Sequence, residues 1–141
     1  MAFKINLGTK EGKTYKMEVE AEELVGKEIG EKISGSVISP ELHGYELEIT
    51  GASDSSGFMA HPKVEGFNLN RILLTLGLGM HKKPRGLKKK NKRPSKGLKL
   101  RKTVRGKVIS PNIIQVNAKI LKVGAKPLSE IFPAEAQSEA Q

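Results

Sequence analysis

Gly35-Ser36-Val37-Ile38-Ser39-Pro40 recurs 71 residues further along as Gly106-Lys107-Val108-Ile109-Ser110-Pro111. The register continues without a gap, so that Tyr45, Leu47 and Ile49 fall on Val116, Ala118 and Ile120. Both copies place apolar residues at every second position after the proline, the spacing of a strand with one buried face. Six identities over the 18 positions from 33 to 50 fit either a duplication or two β-rich segments that coincide by chance. A duplication implies a pseudo-twofold, all-β fold of two strand-turn-strand units, and closure into a small barrel would hide the edges of its short sheets. The copies differ in charge: the polar positions are Glu46 and Glu48 in the first, Asn117 and Lys119 in the second.

Outward from the repeat, the remaining patterns are also β-like. Phe3, Ile5 and Leu7 alternate with Lys4 and Asn6; residues 8–12 form a turn; Tyr15, Met17 and Val19 then alternate with Lys16, Glu18 and Glu20, which predicts a hairpin. Ala21-Glu22-Glu23-Leu24-Val25-Gly26 predicts one short helix, closed by a glycine suited to a left-handed cap. Residues 51–57 read as a polar turn, and 72–76 as a short apolar strand. With 141 residues and only six aromatic rings, the core must be a small one of Val, Ile and Leu, and 15 glycines and seven prolines argue against a helical bundle.

The charge is unevenly placed. The formal net charge is +10, yet residues 1–70 hold 7 basic and 12 acidic side chains, whereas residues 71–129 hold 18 basic and no acidic ones. A solubilising charge would be spread more evenly, so the second half predicts attraction to a polyanion. The cations concentrate in residues 78–107, read as a long basic extended arm too polar to bury a core of its own. Lys and Arg bind phosphate by displacing condensed counterions. No Phe, Tyr or Trp lies among these cations, which favours backbone and shape recognition over base stacking. The phosphate contacts expected are Lys82, Lys83, Arg85, Lys88, Lys89, Lys90, Lys92, Arg93, Lys96, Lys99, Arg101, Lys102 and Arg105, with Arg71 as a weaker candidate.

Catalytic and metal chemistry find little support. There is no cysteine, which removes disulfides, thiolate metal sites and thiol nucleophiles. His43, His61 and His81 are dispersed and read as turn or surface residues, with no second ligand at metal spacing. An RNA hydrolase using Asp54 and His61 is the enzyme alternative, but Ser53-Asp54-Ser55-Ser56 is ordinary turn chemistry. Gly77-Leu78-Gly79 lacks the third glycine of a dinucleotide fingerprint, and no phosphate loop occurs. Neither a membrane span nor an export signal is expected.

Ile49-Thr50-Gly51-Ala52-Ser53-Asp54-Ser55-Ser56-Gly57-Phe58 resembles the I-T-G-G-x-D-x-x-G-F signature of small-subunit ribosomal protein six of the archaeal and eukaryotic type. Arg101-Lys102-Thr103-Val104-Arg105-Gly106, Ile114-Gln115-Val116-Asn117 and Gly26-Lys27-Glu28-Ile29-Gly30 are similar to further motifs of that family, so the resemblance covers residues 2–122. Ala52 replaces the second glycine, and Met59-Ala60 stands where the family has Pro-Met, departures that bear on the local turn. The resemblance implies a β-barrel, rRNA binding and a structural, non-catalytic role in the 30S subunit. The long phosphorylated helix of eukaryotic relatives is not expected from the Ala/Glu/Gln-rich end of this chain.

The expectation is therefore an all-β domain, a closed or nearly closed barrel spanning residues 1–125 and carrying the basic arm, followed by a peripheral or flexible tail at 126–141. It is a cytoplasmic structural constituent of the small ribosomal subunit whose partners are the subunit rRNA and neighbouring ribosomal proteins. No cofactor, metal, small-molecule substrate or membrane is expected. The alternative is a duplicated β-barrel DNA-binding or chromatin protein.

Overall fold

A computed structural model describes residues 2–80 and 97–132. The predicted hairpin forms as β1 (Phe3–Gly8) and β2 (Thr14–Val19), and Phe3, Ile5 and Leu7 point into the core as their alternation requires. The short helix is a single 3-10 turn at Glu22–Leu24, followed by Gly26 in the left-handed region at φ 92°. Then come β3 (Lys32–Ser34), β4 (Glu46–Asp54), β5 (Leu69–Thr75), β6 (Lys99–Arg105), β7 (Ile113–Lys122) and α1 (Leu128–Ile131).

Five strands make one sheet in the order β2-β1-β7-β4-β3, while β5 and β6 form a separate two-stranded ribbon. Each has its own apolar cluster. The larger centres on Phe3, Leu7, Leu42, Tyr45, Leu47 and Ile49; the smaller on Val64, Leu74, Met80 and Val104. The backbone joins them where residues 106–109 run between two other segments: Lys107 and Val108 N–H donate to the carbonyls of Val64 and Gly66, and Ile109 N–H to that of Lys27. Gly106 is required there, because a Cβ would collide with the backbone of Gly66 and Phe67.

The expected barrel does not close. The sheet ends at β2 on one side and β3 on the other, and no pairing joins those edges among the described residues. The physical reason lies in β6. At the 71-residue offset the counterpart of Lys32–Ser34 is the end of β6, and it pairs with β5 over seven residues instead of lying beside β7. Val104 thereby enters the second cluster.

Between β4 and β7 the register is symmetric about the repeat. Glu48 lies opposite Lys119, 71 positions on, and is flanked by Leu47 opposite Ile120 and Ile49 opposite Ala118. A bulge then passes Thr50, after which Ala52 and Asp54 face inward. Residues 51–54, expected in a turn, thus extend β4; the turn itself is 54–58, closed by Asp54 N–H donating to the Phe58 carbonyl. Of the expected tail at 126–141, residues 126–132 are described. Leu128, Ile131 and Phe132 pack on the larger cluster, the Phe132 ring stacks on Tyr15 at 5.2 Å, and the Tyr45 hydroxyl donates to the Lys126 carbonyl.

Candidate nucleic-acid interface

Directly opposed residues of an antiparallel pair share a face. On the ribbon this sorts the cations. Leu69, Arg71, Leu73 and Thr75 of β5 lie opposite Arg105, Thr103, Arg101 and Lys99 of β6, on the side turned from the apolar cluster. The other side carries Ile72, Leu74, Leu100 and Val104, which cover that cluster. Arg71, Lys99 and Arg101 are exposed together on the outward face, with successive side chains on one strand about 6.8 Å apart. Thr75 and Thr103 add hydroxyls to the same face.

Two other expected contacts have structural employment. Lys102 is on the inward side, and its Nζ donates to the Gly79 carbonyl at 3.2 Å, tying β6 to the chain that leaves β5. Arg105 Nε donates to Asp54 Oδ2 at 2.8 Å and its Nη1 to the Phe67 carbonyl at 3.2 Å. Burial pushes the Asp54 carboxyl up, but the Arg105 guanidinium and the N–H groups of Phe58 and Ser56 outweigh it, holding the group below its ordinary value. Lys107, within the expected arm, bridges Glu65 at 2.9 Å and Glu28 at 3.0 Å, and these two hydrogen-bonded carboxylates raise its pKa. Lys82, Lys83, Arg85, Lys88, Lys89, Lys90, Lys92, Arg93 and Lys96 lie outside the described residues, as does His81. They occupy the chain that links the two ribbon strands.

The residues 98–105, expected in an extended arm, are thus largely a paired strand. The cause is the alternation Leu98, Leu100, Val104 with Lys99, Arg101 and Arg105, which gives this end of the basic stretch an apolar face. His61 heads a turn, as expected, its carbonyl accepting the Val64 N–H at 3.1 Å, but its side chain is buried, and its Nδ1 accepts the Lys63 N–H at 3.2 Å. Asp54 is engaged by Arg105, so the Asp54 and His61 pair of the hydrolase alternative has other partners for both members. Sequence reasoning missed Phe58 and Phe67, both exposed near Arg105 although they belong to the acidic half of the chain. Phe67 stands there by sequence, two residues before β5, whereas Phe58 is brought there by the pairing of Asp54 with Arg105.

A small β-sheet scaffold that presents an open cationic ribbon is the class that fold and site define. Comparison with known proteins makes this specific. Residues 3–133 match the model of the family described as ribosomal protein S6e. Among curated proteins, small ribosomal subunit protein eS6 of Methanococcus maripaludis strain C7 is 42% identical over 129 residues, covering 91% of this chain and 94% of that protein. The proteins of the same name from Archaeoglobus fulgidus and Methanothermobacter thermautotrophicus are each 40% identical over 138 residues. They cover 94% and 96% of this chain, and 96% and 98% of their own lengths. The chain belongs to the ribosomal protein S6e family, a family of structural ribosomal proteins and not of enzymes.

Proposed function

We propose that this chain is a structural constituent of the small ribosomal subunit in the cytoplasm, where it binds rRNA through its basic stretch and lies among other ribosomal proteins. Its relatives carry the name of that subunit. The observation that supports the mode of binding is the shared outward face of Arg71, Lys99 and Arg101 at the root of the linking segment 76–98. The five-stranded sheet gives that root a rigid mount, and the cations of residues 82–96 extend it along the phosphates. Engagement of about six to ten phosphates gives a log-log salt slope of roughly −4 to −9 for cognate rRNA. Titration of the full chain against small-subunit rRNA at several salt concentrations tests this, and an affinity indifferent to salt would remove the mechanism.

The two repeated segments are copies of one unit in this account. In support, Glu48 lies opposite its own counterpart Lys119, and the Ser39 and Ser110 carbonyls accept from Leu42 and Ile113, also 71 apart. Gly35 and Gly106 are both too crowded for a side chain. The divergence of β3 and β6 then reflects the second copy's change from wall strand to RNA-facing ribbon.

A further inference from the structure

Where the ribbon meets the five-stranded sheet, a shallow apolar groove of about 250 Å³ is lined by Val25, Phe67, Val108 and Pro111 with Gly26 and Ile109. Phe67 is 53% exposed and Val25 42%, two large apolar side chains left open at one spot. The groove is pre-formed, because both outer walls are bonded to the segment between them. Gly26 N–H donates to the Ile109 carbonyl at 2.9 Å, Ile109 N–H to that of Lys27 at 2.8 Å, and Val108 N–H to that of Gly66 at 3.1 Å. The surroundings are acidic. Residues 22–28, 65–67 and 107–111, which form and adjoin the walls, carry Glu22, Glu23, Glu28 and Glu65 against Lys27 and Lys107. Lys27 is held by Glu31 at 2.7 Å, and the one ammonium of Lys107 is shared between Glu65 and Glu28. Glu22 and Glu23, on the 3-10 turn directly before Val25, are exposed and in no ion pair among the described residues.

We propose that this groove docks a lysine- and arginine-rich segment of a neighbouring small-subunit protein, which seats one large apolar side chain between Val25 and Phe67 and sets its cations against Glu22, Glu23 and Glu65. The inference rests on the place among other ribosomal proteins given above. Charge decides the occupant. Any partner that covers the groove takes water from the carboxylates beside it, a cost that cations on the partner offset. RNA phosphate would instead add like-charge repulsion, and residues 1–70 as a whole hold 12 acidic against 7 basic side chains, so this side of the joint disfavours the polyanion that the ribbon attracts. A small molecule is disfavoured by size, since drug-sized sites run to roughly 300–1,000 Å³. One apolar anchor inside a charged rim is the anatomy of a protein contact. The chain thus has two working surfaces of opposite sign, the ribbon for RNA and the groove for a basic protein.

The test replaces Phe67 of the full chain by the photoreactive analogue p-benzoylphenylalanine, which keeps the backbone bond of that residue to Arg105, and irradiates the assembled small subunit. Mass spectrometry of the products should find a segment of another subunit protein with an excess of Lys and Arg and an apolar residue at the point of attachment. The same probe in place of Val25 should reach the same segment. Glu22→Lys combined with Glu23→Lys should lower the yield of that cross-link by about two- to 30-fold, the effect of two exposed ion pairs, while Glu11→Lys in the turn between β1 and β2 leaves it unchanged. Cross-links to rRNA, to an acidic or uncharged protein segment or to a second copy of this chain, or none in the intact particle, would overturn the docking site and spare the phosphate-binding ribbon. Equal yields from the charge-reversed and native chains would also overturn it, because the carboxylates would then have no part in choosing the partner. Absence of the native chain from the small subunit would overturn the structural role and this inference together.

Discussion

Arg105 Nε lies 2.8 Å from Asp54 Oδ2, an ion pair whose side chains are 13% and 1% exposed. It joins the end of β6 to the end of β4, and through Nη1 to the Phe67 carbonyl it also holds the chain just before β5. One guanidinium therefore fastens the ribbon to the sheet. Breaking such a buried pair from one side leaves an uncompensated charge, so Arg105→Ala is expected to destabilise the fold by about 3 to 5 kcal/mol. Urea unfolding measures this; a loss below about 1 kcal/mol would make Arg105 a surface cation.

The same pair sets an acid limit. The Asp54 pKa is depressed in the folded chain, so the folded state holds the proton less well than the unfolded state does. Its contribution is present above the unfolded value, about 3.9, and is lost as pH falls through the lower folded value. Stability should therefore drop below about pH 4, and Asp54→Asn should flatten that part of the profile while lowering stability at neutral pH. Thermal melting between pH 2 and 7 checks both, and an unchanged acid limb in the variant contradicts the assignment.

How much of this was legible in the sequence depended on periodicity. The β1–β2 hairpin and the start of β4 alternate cleanly, and the structure places Phe3, Ile5, Leu7, Leu47 and Ile49 in the core as the pattern requires. The alternation reverses at Thr50 because of the bulge, so the pattern reads as a strand end where β4 continues to Asp54. In β5, leucines occupy both faces: Leu74 is buried, but Leu69 and Leu73 are exposed beside Arg71. A run with apolar residues on both sides hides which face binds. Lys102 and Arg105 look like any cations of the stretch, and only pairing register and the distant Asp54 separate them from Arg101. Barrel closure failed as an expectation because partner choice by β6 is a tertiary fact.

Gly106 sits against the backbone of Gly66 and Phe67, with no room for a Cβ. Gly106→Ala must push that backbone apart, at a cost of about 1 to 3 kcal/mol or more. Gly97→Ala is the control, since among the described residues nothing lies within 4 Å of its position. Thermal melts should show a marked loss for the first and none for the second; equal behaviour would contradict the close approach.

Arg71 and Arg101 have their side chains on the open face, and neither is in an ion pair among the described residues. Arg71→Gln and Arg101→Gln should each make the log-log salt slope of rRNA binding less steep by about 1, with stability changed by less than about 0.5 kcal/mol. Lys4→Gln, which removes a cation paired with Glu18 on the five-stranded sheet, should leave the slope as it is. A slope insensitive to the ribbon arginines would move the interface elsewhere.

The most direct measurement is lysine acylation footprinting of this chain free in solution and within the assembled small subunit, read by mass spectrometry. Lys82, Lys83, Lys88, Lys89, Lys90, Lys92, Lys96 and Lys99 should react in the free chain, become protected in the particle and regain reactivity after ribonuclease digestion, whereas exposed Lys10 should change little. Full reactivity of the 82–99 lysines in the intact particle would contradict the claim that nucleic-acid phosphate neutralises the basic stretch.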